Sequence, residues 1–288
     1  MKGFYMATFT NQAQLTYRDT VTNSNVAVGE ILDVLSVSKT AVSNVYGAND
    51  TITYIVSIVN TGSVAISGLT LTDDLGAYEF GTGTLVPLSY TDGTIRYYID
   101  GVLQPAPTVS GENQLVVNGI SVPANGNATI VYEVSTNALA PLASGSSITN
   151  TATVSGTGVG PITDSEVVTV INAPILSITK SISPVPVNDN GTVTYTFVIQ
   201  NTGNTPVVAT DNSFITDLFD PILTDVTATF NGTAWTEGNE YNYNQATGLF
   251  ESVAGSITVP AATYTQDTTS GAWSITPGTS TLVVTGTI

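Results

Sequence analysis

Two long segments of this chain have similar sequences, and the order of their predicted strands restricts the fold more than any other feature. One segment, LSVSKTAVSNVYGANDTITYIVSIVNTG, begins at Leu35, and the other, LSITKSISPVPVNDNGTVTYTFVIQNTG, begins at Leu176. Fifteen residues separate Lys39 from Tyr54, and the same number separates Lys180 from Tyr195. The spacing predicts two copies of one domain in tandem.

The two copies end differently. The first copy continues through SSITNTATVSG and ITDSEVVTVI, whereas the second reaches Ile288 without similar segments. Their counterparts, TFTNQAQLTY and VTNSNVAVGEI, stand at the N-terminus instead. We therefore predict an N-terminal donor-strand arm (residues 1–33), a complete first domain (34–173) and a second domain (174–288) that lacks its final strands.

Composition favours an all-β fold, because Thr, Val, Ile, Ser and Gly are abundant and no long segment has helical periodicity. The absence of Cys and His excludes thiol nucleophiles, disulfides, ordinary zinc sites and imidazole bases. We expect no cofactor and no metal. The net charge of -17 excludes nucleic acid and anionic lipid as main partners.

A domain without its final strands would expose unpaired backbone groups, and the arm by itself cannot bury an apolar face. Each therefore needs the other. Within one molecule the arm would have to double back past a whole domain, so we predict that identical subunits join head to tail by donor-strand addition. The alternative is an arm that pairs with its own chain or stays free.

Strand alternation places polar residues in phase with the apolar face of each domain. Lys39 follows Leu35 and Val37, and Lys180 follows Leu176 and Ile178. The other in-phase polar residues are Asp73, Asp217, Asn150 and, on the arm, Asn11. Each complete domain is thus predicted to bury one Lys, one Asp and one Asn.

A buried Lys, Asn and carboxylic acid can form an isopeptide bond, since desolvation favours the neutral amine and the protonated acid. We predict an intramolecular Lys39–Asn150 bond and an intermolecular Lys180–Asn11 bond, with Asp73 and Asp217 as the catalytic acids. Asp74 and Glu133 are alternative acids. The other interpretation is a buried Lys–Asp ion pair beside a hydrogen-bonded Asn. Each site would react once, so the chain is not expected to be an enzyme.

The pattern K…Y-x₅-NTG…D…N-x-A resembles the bacterial surface repeat called domain of unknown function eleven, over nearly the whole chain. The resemblance implies immunoglobulin-like β-sandwiches, some of which carry Lys–Asn isopeptide bonds. The short, leaderless form of the chain is also similar to proteins of spore-forming clostridia, which suggests a spore appendage. The displaced final strands depart from the family pattern.

These features predict a structural subunit of an extracellular covalent filament, on a cell or spore surface and without a recognisable signal peptide. The alternative is a surface adhesin or glycan-binding stalk, in which Tyr97, Tyr98, Tyr241 and Tyr243 could form a binding shelf. A glycoside hydrolase is disfavoured, because no acidic pair comes with recognisable substrate-binding residues. NTG at 60–62 and 201–203 is expected to end a strand in a turn, with Gly at positive φ.

Overall fold

The computed structural model describes residues 7–31 and 34–288, and it confirms the all-β expectation. Its only helical element in these residues is a short 3₁₀ turn, Ala209–Asp211. The predicted boundary at residue 33 and the first six residues of the arm lie outside the described residues. No helix in the two described ranges has the length and apolar character needed to cross a membrane.

The arm consists of four short strands: β1 (Ala7–Asn11), β2 (Gln14–Tyr17), β3 (Thr20–Asn23) and β4 (Ala27–Ile31). They pair as one interrupted hairpin, β1 with β4 and β2 with β3. Among the described residues, no hydrogen bond or strand pairing joins this hairpin to residues 34–288. The arm is therefore a separate element of the single chain.

The first sandwich contains strands β5 to β18. They are β5 (Leu35–Ala41), β6 (Val45–Tyr46), β7 (Thr51–Asn60), β8 (Ile66–Asp73), β9 (Tyr78–Phe80), β10 (Gly83–Leu85), β11 (Leu88–Tyr90), β12 (Arg96–Ile99), β13 (Val102–Gln104), β14 (Thr108–Ser110), β15 (Leu115–Val122), β16 (Gly126–Thr136), β17 (Ser147–Gly156) and β18 (Val159–Val170).

Most of these strands form two packed sheets in the immunoglobulin order, whereas β9 and β10 pair only with each other. One sheet runs β13-β12-β16-β7-β5, and the other runs β14-β15-β8-β17-β18-β6. The first contains the A, B, E and D strands of the immunoglobulin scheme as β5, β7, β16 and β12. The second contains C, F and G as β8, β17 and β18, with β6 beside β18 in parallel. Strict alternation of buried residues on β7, β16 and β17 forms the core between the sheets.

The second sandwich contains strands β19 to β28. They are β19 (Leu176–Ser183), β20 (Thr192–Asn201), β21 (Thr216–Leu218), β22 (Thr224–Phe230), β23 (Thr233–Trp235), β24 (Tyr241–Asn244), β25 (Leu249–Ser252), β26 (Thr263–Gln266), β27 (Trp273–Thr276) and β28 (Gly278–Thr287).

The second sandwich repeats the first only in part. Its sheet β19-β20-β28-β22-β23 repeats β5-β7-β16, and β21 beside β25 repeats β8 beside β15. Strand β8 is paired on both edges, with β15 and β17, whereas β21 is paired only with β25. Within residues 34–288, nothing in the second sandwich corresponds to β17 and β18.

One hairpin distinguishes the second sandwich. Asn60 bonds the carbonyl of Pro123, and Asn201 bonds that of Pro260, so these two prolines are equivalent. In the first sandwich Gly126 follows Pro123 after a tight turn, whereas β26 and β27 are inserted between Pro260 and Gly278. The inserted hairpin reaches the first sandwich, where the backbone N–H of Trp273 donates to the Ala138 carbonyl at 2.8 Å and Gln266 Nε2 donates to the Tyr78 hydroxyl at 3.0 Å.

The two NTG segments fasten the strand that enters each sandwich. The Asn201 amide donates to the carbonyls of Thr205 and Pro260, at 2.7 and 3.0 Å, and its oxygen accepts the N–H groups of Gly203 and Ile175. The Asn60 amide likewise donates to the carbonyls of Val64 and Pro123, and its oxygen accepts the N–H group of Gly62. Both asparagines are fully buried.

The expected positive φ at these glycines is wrong, since neither Gly62 nor Gly203 has one. At Gly203 the physical reason for glycine is close backbone approach, whereas a Cβ on Gly62 would instead lie 3.1 Å from Asn60 Oδ1 and 3.2 Å from the Val34 side chain. A Cβ on Gly203 would lie 2.1 Å from the carbonyl oxygen of Ala173.

Replacing Asn60 or Asn201 with Ala should each lower the free energy of unfolding by about 1–3 kcal/mol per unpaired group, because buried carbonyl and N–H groups lose their partners. Denaturant unfolding of each variant measures the loss. Asn239→Ala, at an exposed position, is the matched control. Equal stability of Asn201→Ala and Asn239→Ala would contradict this role of the NTG segments.

Candidate functional site

The structure places three of the predicted site residues in the closed interior of the first sandwich. Lys39 lies on β5, Asp73 at the end of β8 and Asn150 on β17. Their exposed fractions are 2%, 0% and 0%. Ala152 pairs directly with Asp73, and Asn150 lies two residues further along the same buried face of β17.

The Asp73 carboxylate is the centre of this site. The Lys39 ammonium and the Tyr132 hydroxyl both donate to its Oδ2 atom, and the Leu75 N–H donates to Oδ1 at 3.0 Å. Lys39 Nζ also lies 4.6 Å from the centre of the Tyr54 ring. A buried charge needs such partners, because desolvating an ammonium without them costs several kcal/mol.

Burial changes the protonation chemistry of the site. It lowers the pKa of Lys39 from its ordinary value of 10.5, although the Asp73 carboxylate opposes the shift. Burial, together with the nearby Asp73 charge, raises the pKa of Tyr132 well above 10.0, so its hydroxyl remains a hydrogen-bond donor. A lowered lysine pKa makes the neutral, nucleophilic amine more accessible.

The Asn150 side chain is held by its oxygen. The Gly76 N–H donates to Asn150 Oδ1 at 3.2 Å, while Nδ2 has no hydrogen-bond partner among the described residues. A donor on a carbonyl oxygen stabilises the negative charge that develops there during nucleophilic attack. The free amide nitrogen is the group that would leave as ammonia.

A second carboxylate joins the outer strand to the site. Asp164, on β18, accepts the backbone N–H of Lys39 at 2.7 Å and so holds the edge of the β17–β18 hairpin over β5. Sequence reasoning missed both Asp164 and Tyr132. Tyr132 could have been found, because it is in phase with the buried residues of β16 and pairs with Tyr54.

The second sandwich contains half of the same site. Lys180 is paired with Asp217, and its Nζ lies 4.6 Å from the centre of the Tyr195 ring, as Lys39 lies from Tyr54. However, the Lys180 and Asp217 side chains are 40% and 17% exposed. By strand register the counterpart of Tyr132 is Val284, whose side chain cannot donate a hydrogen bond.

The Lys180 and Asp217 side chains are exposed on the side of the second sandwich where counterparts of β17 and β18 would lie. Every residue of β19 is exposed, whereas β5 is buried at Leu35 and Lys39. A groove of about 380 Å³ follows this open side, with mainly apolar walls. Its lining residues are Leu176, Ser177, Ile178, Ile199, Asn212, Ser213, Phe214, Ile215 and Ile257.

The fourth predicted residue, Asn11, lies on the arm. Its side chain is exposed, and within the single chain no hydrogen bond or strand pairing brings it to Lys180 or Asp217. The arm also exposes large apolar side chains: Leu15 (68%), Tyr17 (66%) and Val28 (65%).

The tyrosines considered for a glycan-binding shelf are used in packing. Tyr97 and Tyr241 are 6% and 3% exposed, and both hydroxyls bond backbone carbonyls. Tyr98 and Tyr243 are only partly exposed. These four side chains therefore do not form an exposed aromatic surface.

Comparison with known proteins gives little further information. No family model matches the chain, so the resemblance to domain of unknown function eleven stays a prediction. No curated protein matches either.

Among solved structures, the chain is similar to the major pilin BcpA of Bacillus cereus, with 12% identity and a TM-score of 0.35 over 94% of this chain and 73% of that one. It is also similar to the pilus backbone protein RrgB of Streptococcus pneumoniae, with 11% identity and a TM-score of 0.33 over 85% of this chain and 54% of that one. The chain thus spans about half of the RrgB structure. A fragment of the Streptococcus agalactiae major pilin GBS80 is similar at 11% identity, with a TM-score of 0.34 over 80% of this chain and 79% of that one. Likeness at this level carries no information about what this chain does.

Replacing Asp73 with Ala should lower the free energy of unfolding by at least about 3 kcal/mol, because the buried Lys39 loses the one carboxylate that pairs with it among the described residues. Asp217→Ala should cost less than about 1 kcal/mol in the unassembled subunit, where Lys180 is partly solvated. Denaturant unfolding of the two variants tests the difference. Equal losses would show that the two sites are equally buried.

Proposed function

We propose that this chain is the subunit of a homopolymeric filament, in which the arm of one copy completes the second sandwich of the next. The observation that carries the proposal is the register of the arm hairpin. Asn11 pairs with Ala27 and Asn150 with Glu166, both sixteen residues apart. At the tips, Tyr17 pairs with Thr20 and Gly156 with Val159, both three residues apart.

The open edge of β21 matches this hairpin. In the first sandwich the Asp74 N–H donates to the Thr151 carbonyl at 3.1 Å, which fastens the end of β8 to β17. The corresponding residues are Leu218 in the second sandwich and Gln12 on the arm. A docked arm would therefore satisfy backbone groups that the edge of β21 leaves unpaired, as in other strand additions.

The arm is also long enough to form one side of a full interface. The arm hairpin, residues 7–31, contains 25 residues. This equals one side of a standard protein interface, roughly 20–30 residues.

A second copy is required because the arm is closely tied to its own first sandwich. Only residues 32–34 separate β4 from β5, and so few residues span no more than ~14 Å. A domain of this size has a radius of gyration of about 14 Å, so a docked arm cannot bypass its own first sandwich. Donor and acceptor surfaces differ, and such a heterologous contact gives an open filament unless the rotation closes a ring.

Docking would also complete the second lysine site. Asn11 would take the place of Asn150, and the hairpin would cover the exposed side of Lys180 and Asp217. The Lys180 amine then attacks the Asn11 side-chain carbonyl, a new amide forms, and the Asn11 nitrogen leaves as ammonia. Asp217 transfers the proton from the amine to the leaving group. The first sandwich would form the Lys39–Asn150 bond in the same way, with Asp73 as the acid.

Both reactions occur once per site and use no cofactor, so the product is a covalently continuous chain and not a turned-over substrate. Such bonds would keep the filament intact when noncovalent contacts fail. That property suits a fibre outside the cell, on a cell or spore surface.

Boiling denaturing gel electrophoresis of assembled protein tests the intersubunit bond. Wild type should give a ladder of high-mass species, and Lys180→Ala and Asn11→Ala should each collapse to monomer because either change removes one reacting group. Lys2→Ala and Asn23→Ala are matched controls that should retain the ladder. A monomeric wild type would refute the covalent filament.

The mass of the intact subunit tests the bond in the first sandwich. In a Lys180→Ala background, the chain should be lighter than its sequence by one ammonia, and adding Lys39→Ala or Asn150→Ala should abolish that difference. An unchanged mass in the parent chain would leave a buried Lys39–Asp73 ion pair as the chemistry of this site.

A further inference from the structure

The tip of the β17–β18 hairpin has no space for a side chain. A Cβ on Gly156 would lie 2.8 Å from Cδ2 of Leu69. Leu69 is fully buried in the core of the first sandwich. At this position the hairpin contributes no side chain, and the opposing β8 strand supplies the large one.

In the arm and the second sandwich the sizes are reversed: the hairpin has the large side chain and the opposing strand the small one. By register the counterpart of Gly156 is Tyr17, which is 66% exposed in the single chain. The counterpart of Leu69 is Ser213, since each lies four residues before the site aspartate. The preceding residues, Gly68 and Asn212, support this alignment because both adopt the left-handed conformation, with φ of 69° and 55°.

Ser213 lies in the groove of about 380 Å³ beside β19. The groove walls include Leu176, Ile178 and Phe214, which are 47%, 53% and 57% exposed. A serine in place of a leucine leaves space at this point, and the apolar walls fit an aromatic ring. The Tyr17 hydroxyl can remain at the polar rim, as tyrosines often do at interfaces.

We infer that Tyr17 of one copy is the anchor that fills the Ser213 groove of the next copy, and that this large–small exchange makes the arm specific for the second sandwich. The inference rests on the proposed assembly. An arm that displaced β17 from a first sandwich would press Tyr17 against Leu69. The exchange therefore favours the intended contact and disfavours strand swapping into the first sandwich.

The test uses full-length variants in a Lys180→Ala background, so that docking stays noncovalent and reversible. Sedimentation measures the protein concentration at which half of the subunits are assembled. Tyr17→Gly and Ser213→Leu should each raise that concentration by at least about 30-fold, as expected for an interface anchor. The double variant Tyr17→Gly with Ser213→Leu recreates the Gly–Leu pair found in the first sandwich. Its half-assembly concentration should lie within about threefold of the parent value.

Val21→Thr is the matched control on the arm. Its counterpart Gly160 has open space around a Cβ, so this change should have little effect. Assembly of either single variant at the parent concentration, or a double variant that is as defective as the single ones, would overturn the inference. A parent chain that does not assemble at all would refute the proposed function itself, and with it the inference.

Discussion

The structure depends on one constraint: the C strand of each sandwich needs a partner on both of its edges. Strand β8 meets this need through β15 and β17, and the β17–β18 hairpin then closes the core over β5. Strand β21 has β25 alone among the described residues. The exposure of β19, the groove and the partial solvation of Lys180 all follow from that one open edge.

The same constraint explains how a lysine can lie inside a β-sandwich. Lys39 is tolerated because Asp73 and the Tyr54 ring surround its ammonium after the hairpin has excluded water. Lys180 has an equivalent carboxylate and an equivalent ring but no cover. In the proposed filament the two sites therefore differ in timing, since the first closes when the domain folds and the second only when a neighbouring arm docks.

Much of this arrangement could be predicted from the sequence, because strand alternation and an internal repeat are local signals. The in-phase positions of Lys39 and Asn150 follow directly from apolar residues two positions away. Asp164 was missed, since its role depends on which strands lie side by side and not on its own neighbours in sequence, whereas the in-phase position of Tyr132 on β16 was an available signal. The inserted β26–β27 hairpin also gave no signal, because its contacts join residues that are distant in the chain.

The most direct test of the proposed filament is peptide mass spectrometry on filaments assembled from equal amounts of ¹⁴N- and ¹⁵N-labelled subunits. After digestion, head-to-tail linkage should give a linked pair of peptides containing Lys180 and Asn11, lighter by one ammonia, with mixed isotope labels in about half of the pairs, as random joining of different copies requires. Linked pairs that are always uniformly labelled would show that the arm reacts with its own chain. The absence of any Lys180–Asn11 pair would contradict the covalent filament.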